Sequence, residues 1–146
     1  MKFAKLIFAG AIVAAGVAFA EVEATDPNVI ARQGLMGMIG KNTGILGGMA
    51  SGKTPYDAAA AAGAKAALIE ASAKIEATFK DQGGADPASE AKPEIWTSWD
   101  DFLKHATALN TAATALDVAS VETIGAGMSG LGGACKDCHT TYRVKK

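Results

Sequence analysis

From Ile95 to Tyr142 the apolar residues fall on two stripes with spacings of three and four. Ile95, Trp99, Phe102, Ala106, Leu109, Ala113 and Leu116 step 4-3-4-3-4-3, and Val121, Ile124, Met128, Leu131, Cys135, Cys138 and Tyr142 step 3-4-3-4-3-4. A strand would alternate every two residues; steps of three and four keep side chains on one side of an α-helix. Stripes of this kind are what near-parallel helices bury against one another in a bundle.

Two more helices are expected upstream. Asp26-Pro27 places an N-cap type residue before Pro at the first helical position. The stripe that follows is Ala31, Leu35, Met38, Asn42, Ile45 and Met49, and Gly52 marks its end. The next helix opens at "TPYD", with Thr54 as cap, Pro55 in the first turn and Asp57 reaching back. It runs through an alanine-rich stretch to about Phe79, with Leu68, Ile75 and Phe79 inward. "DQGGADPASEAK" reads as the long loop, Pro93 opens the third helix, and the fourth starts near Ser120. The expected fold is all-α, an antiparallel four-helix bundle formed by a single domain over 21–146.

Residues 1–20 read as a secretory signal: Lys2 and Lys5, an apolar run from Leu6 to about Ala18, then Ala18-Phe19-Ala20 before a cut at Glu21. The run is short for a membrane anchor, so no span is expected after processing, and the signal's form points to the bacterial periplasm. Residues 21–146 keep 12 basic and 15 acidic side chains, a formal charge of −3. There is no basic stripe for nucleic acid. No Ser-His-Asp set, paired buried acids or second metal site is visible, so no enzyme is expected.

Both cysteines and one of the two histidines stand together in "GGACKDCHTTYRVKK". Cys135 and Cys138 share the inner stripe of the fourth helix, and His139 lies on nearly the same side. Three chemistries suit such a set. A C-x-x-C disulfide usually sits at a helix N-terminus in a β-containing redox fold, whereas this pair is late in a helix. Zinc needs a fourth ligand, and only His105 or a carboxylate is on offer. C-x-x-C-H is also the pattern of c-type haem attachment, with thioethers from the cysteines and the histidine on iron. This third reading best accounts for the adjacent histidine, the export signal and the glycines. Gly125, Gly127, Gly130, Gly132 and Gly133 each cost about 1 kcal/mol in a helix interior, and a flat group lying against that face would explain them.

Four segments carry a resemblance: "RQGLM" in the first helix, "GKTPYDAAAA" opening the second, "EAKPEIW" opening the third and "CKDCHTTYR" in the fourth. With them the chain resembles the class II cytochromes c, the family of the cytochromes c′, over essentially all of 21–146. Cytochromes c′ are themselves a standard instance of the four-helix bundle. The other large class of small cytochromes carries its C-x-x-C-H near the N-terminus.

The resemblance implies that Cys135 and Cys138 hold one haem c and that His139 is the axial iron ligand. It implies that Arg32 pairs with a haem propionate, with Gln33 as a second propionate or haem-edge contact. It sets Met36 facing the distal side of the iron, as a sixth ligand or as packing over it. Arg143 would lie beside the proximal face, and Glu90 at the haem edge. Trp96 and Trp99 read as core or haem-edge packing, Met38, Met49 and Met128 as core, and His105 as a flank or surface residue. If Met36 binds iron, the resemblance implies an electron carrier; if it only packs, an open site for NO or CO. The expected partners are redox proteins, basic or neutral given the negative charge, and a second copy of the chain as a homodimer through the first two helices.

Overall fold

The structure is a computed structural model, and it describes residues 22–145. The expected signal, residues 1–20, lies outside the described residues. Among the described residues there are six helical segments: α1 Pro27–Ala50, α2 Ala58–Ala73, α3 Ile75–Phe79, α4 Glu94–Thr97, α5 Trp99–Ala115 and α6 Val121–Tyr142. The pairs α2–α3 and α4–α5 are each one expected helix broken by a single residue, Lys74 or Ser98. Helix α1 packs against α2 and α6, and α5 packs against the same two, so four long helices close a ring. Among the described residues there is no strand, only an isolated antiparallel bridge between Ala91 and Arg143. No helix among them is long and apolar enough to cross a membrane.

The helix ends follow from local chemistry. Asp26 caps α1, its carboxylate accepting from the Asn28 and Val29 amides. Gly52, with φ of +71°, follows the last turn in the left-handed conformation that glycine adopts at least cost. Ser120 and Thr123 form a reciprocal capping box at the start of α6. At α2 the cap is Asp57, which accepts from the Ala60 amide at 2.7 Å, and not Thr54 as expected. The "TPYD" stretch stays outside the helix, with the Thr54 amide tied to the Gly48 carbonyl at the end of α1.

The core confirms the α4–α5 stripe almost whole: Ile95, Phe102, Ala106, Leu109, Ala113 and Leu116 are buried, and Trp99 is half-buried. Leu68, Ile75 and Phe79 are buried as expected. On α1 the expected face is corrected. The buried residues are Val29, Arg32, Leu35, Ile39, Leu46 and Met49, while Ala31 is exposed and Met38 is 50% exposed. Apolar side chains stand all round this helix, so their spacing alone selects no single face.

Candidate functional site

The 81–92 segment is a loop in sequence but is fixed at many points. Asp86 accepts from the Thr25 and Asp26 amides at 2.7 and 2.8 Å and from the Ala88 amide at 2.8 Å. These amides push its carboxyl down to about 2. Asp26 in turn accepts from the Gly84 amide at 2.7 Å. Gln33 Nε2 donates to the Ala88 carbonyl at 3.0 Å. At the far end the Val144 amide donates to the Glu90 carbonyl at 2.8 Å, and the Lys92 amide to the Tyr142 carbonyl at 3.0 Å. The loop therefore bridges the start of α1 to the end of α6.

Between these elements lies a cavity of about 1020 Å³. That is at the upper end of the ~300–1,000 Å³ usual for small-molecule and cofactor sites. Met36, Cys135, Cys138, His139 and Arg143 all line it, as do Arg32, Gln33 and Glu90. Helices α1 and α6 and the loop thus bring these sequence-derived candidates to one wall or another of a single space.

The α1 side of the cavity includes three glycines. Gly37, Gly40 and Gly44 line the cavity, and a Cβ placed on any of them would meet no other atom within 4 Å. These are the glycines that leave room for a flat group. The α6 glycines do not line the cavity, so the expected reason for them is corrected. Gly125, Gly130, Gly132 and Gly133 face open space, and Gly127 abuts Leu116.

The α6 side supplies the reactive groups. Neither cysteine forms a disulfide, and both are half-buried. Burial raises both, taking Cys138 to about 11 with a further push from Cys135, so both stay neutral at ordinary pH. Burial, helped by Arg143 and opposed by Glu90, lowers His139 and favours the neutral imidazole. A neutral ring is the form that ligates a metal. Among the described residues no group of three or more His, Cys, Asp or Glu is arranged to hold a metal ion by itself, so the donor set for a zinc ion is not assembled there. The large, largely apolar cavity, the open glycines on its α1 side and the two cysteines beside an imidazole together fit a planar, covalently held macrocycle.

Arg32 sits differently from a solvated arginine. It is only 4% exposed, donates Nη1 to the Asp81 carbonyl at 2.9 Å and Nη2 to the Gln82 carbonyl at 3.1 Å. Its guanidinium lies 5.3 Å from the Trp96 ring and 5.7 Å from Phe79. Two of its five N–H groups are thus committed to the loop. Trp96 donates its indole N–H to the Phe79 carbonyl at 2.8 Å, and neither tryptophan lines the cavity. His105, read from sequence as a flank residue, does line it. Its Nε2 is 3.6 Å from Asp101 Oδ2, which accepts from the Tyr142 hydroxyl at 2.8 Å. His105 precedes the α5 stripe by one position, which is why spacing left it at the edge.

The architecture is that of a cofactor-binding four-helix bundle. Residues 28–143 match the family model described as Cytochrome C'. Cytochrome c-556 of Agrobacterium fabrum (strain C58) is 41% identical over 144 residues, 94% of this chain and 88% of that protein. Among solved structures, oxidised cytochrome c556 of R. palustris matches with a TM-score of 0.74 and 29% identity, covering 82% of this chain and 98% of that one. A nitric oxide complex of a point mutant of cytochrome c prime from Alcaligenes xylosoxidans matches with a TM-score of 0.72 and 28% identity, covering 82% of this chain and 94% of that one. The chain belongs to the cytochrome c′ family, and its cofactor is haem c.

Proposed function

We propose that Cys135 and Cys138 bind haem c through two thioethers, that His139 ligates its iron, and that the protein carries electrons in the periplasm after residues 1–20 are removed. The observation that carries this reading is that Met36, Cys135, Cys138 and His139 line one cavity. Haem c, when bound, supplies a one-electron couple. The chain's own residues bring the two cysteines and a histidine whose neutral form is favoured to one side of a largely apolar cavity. Met36 faces the same space from α1 and is the candidate sixth ligand. Arg32 and Gln33 brace the loop that rims the cavity and are the candidate contacts to its charged edge. Arg143 and Glu90 pair beside His139. No catalysed turnover is part of this reading, and half-exposed Met38 on α1 supports a homodimer through the first two helices.

A second reading is binding of NO or CO. The match to a solved cytochrome c prime variant in complex with nitric oxide favours it. One experiment separates the two: visible spectra of the purified, exported protein, oxidised and reduced, with and without CO. Sharp α and β bands on reduction that CO does not move support the carrier with iron bound on both sides. A broad reduced band that shifts with CO supports the gas-binding reading. A protein with no haem spectrum contradicts both.

A further inference from the structure

The chain is acidic overall, yet one hollow on its surface is ringed by cations. The hollow has a volume of about 470 Å³, and Lys136, Arg143 and Lys145 line it with Glu90 and His139. Glu90 pairs with Arg143, so those two charges offset. Neither Lys136 nor Lys145 forms an ion pair among the described residues. Lys92 adds a further cation alongside, its Nζ donating to the Thr141 carbonyl at 3.0 Å. Asp137 is the chain neighbour of Lys136 but does not line the hollow.

Position gives this patch its meaning. Glu90, His139 and Arg143 line both the hollow and the large cavity. The hollow and the cavity therefore adjoin at these three side chains.

We propose that this hollow is the docking surface for a protein electron-exchange partner, and that the partner presents an acidic face to Lys136 and Lys145. The proposal rests on the electron-transfer reading above. The net negative charge does not oppose it at contact range. Glu122, at the other end of α6, is fourteen residues from Lys136, about 21 Å along the helix axis. The Debye length at physiological salt is about 8 Å, so distant acids are largely screened while the lysines at the contact are not. An anionic membrane would meet the same two lysines, but only a redox partner gains from the wall shared with the cavity.

The test is stopped-flow oxidation of the reduced, haem-loaded protein by ferricyanide over a range of ionic strengths. One electron leaves the protein, ferricyanide becomes ferrocyanide, and no proton moves. The anionic reagent stands in for an acidic partner face. The variants are Lys136→Glu, Lys145→Glu and Lys53→Glu. Lys53→Glu makes the same change in net charge at the opposite end of the bundle, near Tyr56, whose hydroxyl meets the Val118 and Ala119 carbonyls before α6. The expected result is a rate that falls with salt in the wild type and in Lys53→Glu. In Lys136→Glu and Lys145→Glu the low-salt rate should drop about tenfold or more, within the usual span of electrostatic steering. Lys145→Glu stands clear of the C-x-x-C-H segment and keeps the test alive if Lys136→Glu disturbs haem attachment.

A wild-type rate that rises with salt, or a Lys53→Glu effect equal to that of Lys145→Glu, overturns the docking surface. Co-sedimentation with phosphatidylglycerol vesicles that is lost in Lys145→Glu reassigns the patch to a membrane and also overturns it. A reduced protein that neither ferricyanide nor a cationic cobalt(III) oxidant can oxidise overturns the electron-transfer reading itself.

Discussion

Arg143, one helical turn past His139, holds Glu90 through Nε at 2.6 Å and Nη2 at 2.5 Å. This fork ties the end of α6 to the loop that rims the cavity, and it does so beside the backbone bridge between Ala91 and Arg143. The side chain of Arg143 is 53% exposed, so water screens the pair. Glu90→Gln is expected to cost about 1 kcal/mol or less, with the difference shrinking as salt is added. Urea unfolding at low and high salt checks this; a loss above about 2 kcal/mol would show that the pair carries more than an exposed fork should.

Arg32 is the opposite case, because its guanidinium is buried and donates to two carbonyls. Arg32→Met leaves the Asp81 and Gln82 carbonyls without those donors and is expected to cost about 2–3 kcal/mol. Arg32→Lys should recover only part of it, since an ammonium cannot fork to both or lie flat between Phe79 and Trp96. Denaturant midpoints at an unchanged slope give the answer, and equal stability of wild type and Arg32→Lys would contradict the forked geometry.

Asp86 sets an acid limit on the loop. Its folded value of about 2 lies below the unfolded value near 3.9. Its contribution is therefore fully present above about pH 5 and is lost as the pH falls through 4 toward 2. Asp86→Asn should be less stable than wild type at neutral pH, and the gap should close across that window. A gap that stays constant from pH 7 to pH 2 would show that its charge is not what holds the Thr25, Asp26 and Ala88 amides.

The α6 glycines divide into two kinds. A methyl group at Gly127 would collide with the buried Leu116 side chain, whereas one at Gly130 meets open space. Gly130→Ala should stabilise by about 0.5–1 kcal/mol through helix propensity. Gly127→Ala should destabilise by about 1–3 kcal/mol through overpacking. Thermal unfolding of the two variants should shift in opposite directions; a shift in the same direction would contradict this local packing.

Two of the four helices were legible in detail from sequence. The stripes ending in Leu116 and Tyr142 have one apolar face each, so their spacing fixed both the helix and its buried side. On α1, Ile30, Met36, Met38, Ile39, Ile45 and Leu46 surround the axis, and burial of Arg32 depends on Phe79, Trp96 and the loop carbonyls. Those partners are 47 to 64 positions away in sequence, so no local pattern reveals them. Cys135, Cys138 and His139 were legible because their chemistry sits in one pentapeptide. Gly37, Gly40 and Gly44 carried a usable signal, a 3-4 spacing of glycines beside Met36. It was masked by the denser glycine run on α6, which proves to lie outside the cavity. His105 required the fold, because only the packing of α5 against α6 brings it to the cavity wall.

The central claim is that haem c is joined to this chain at Cys135 and Cys138. The most direct measurement is the mass of the tryptic peptides spanning 135–138 from the exported protein, taken after full denaturation and thiol alkylation. The account predicts one peptide group heavier by one haem, with neither cysteine alkylated. Two alkylated cysteines and no added haem would contradict it.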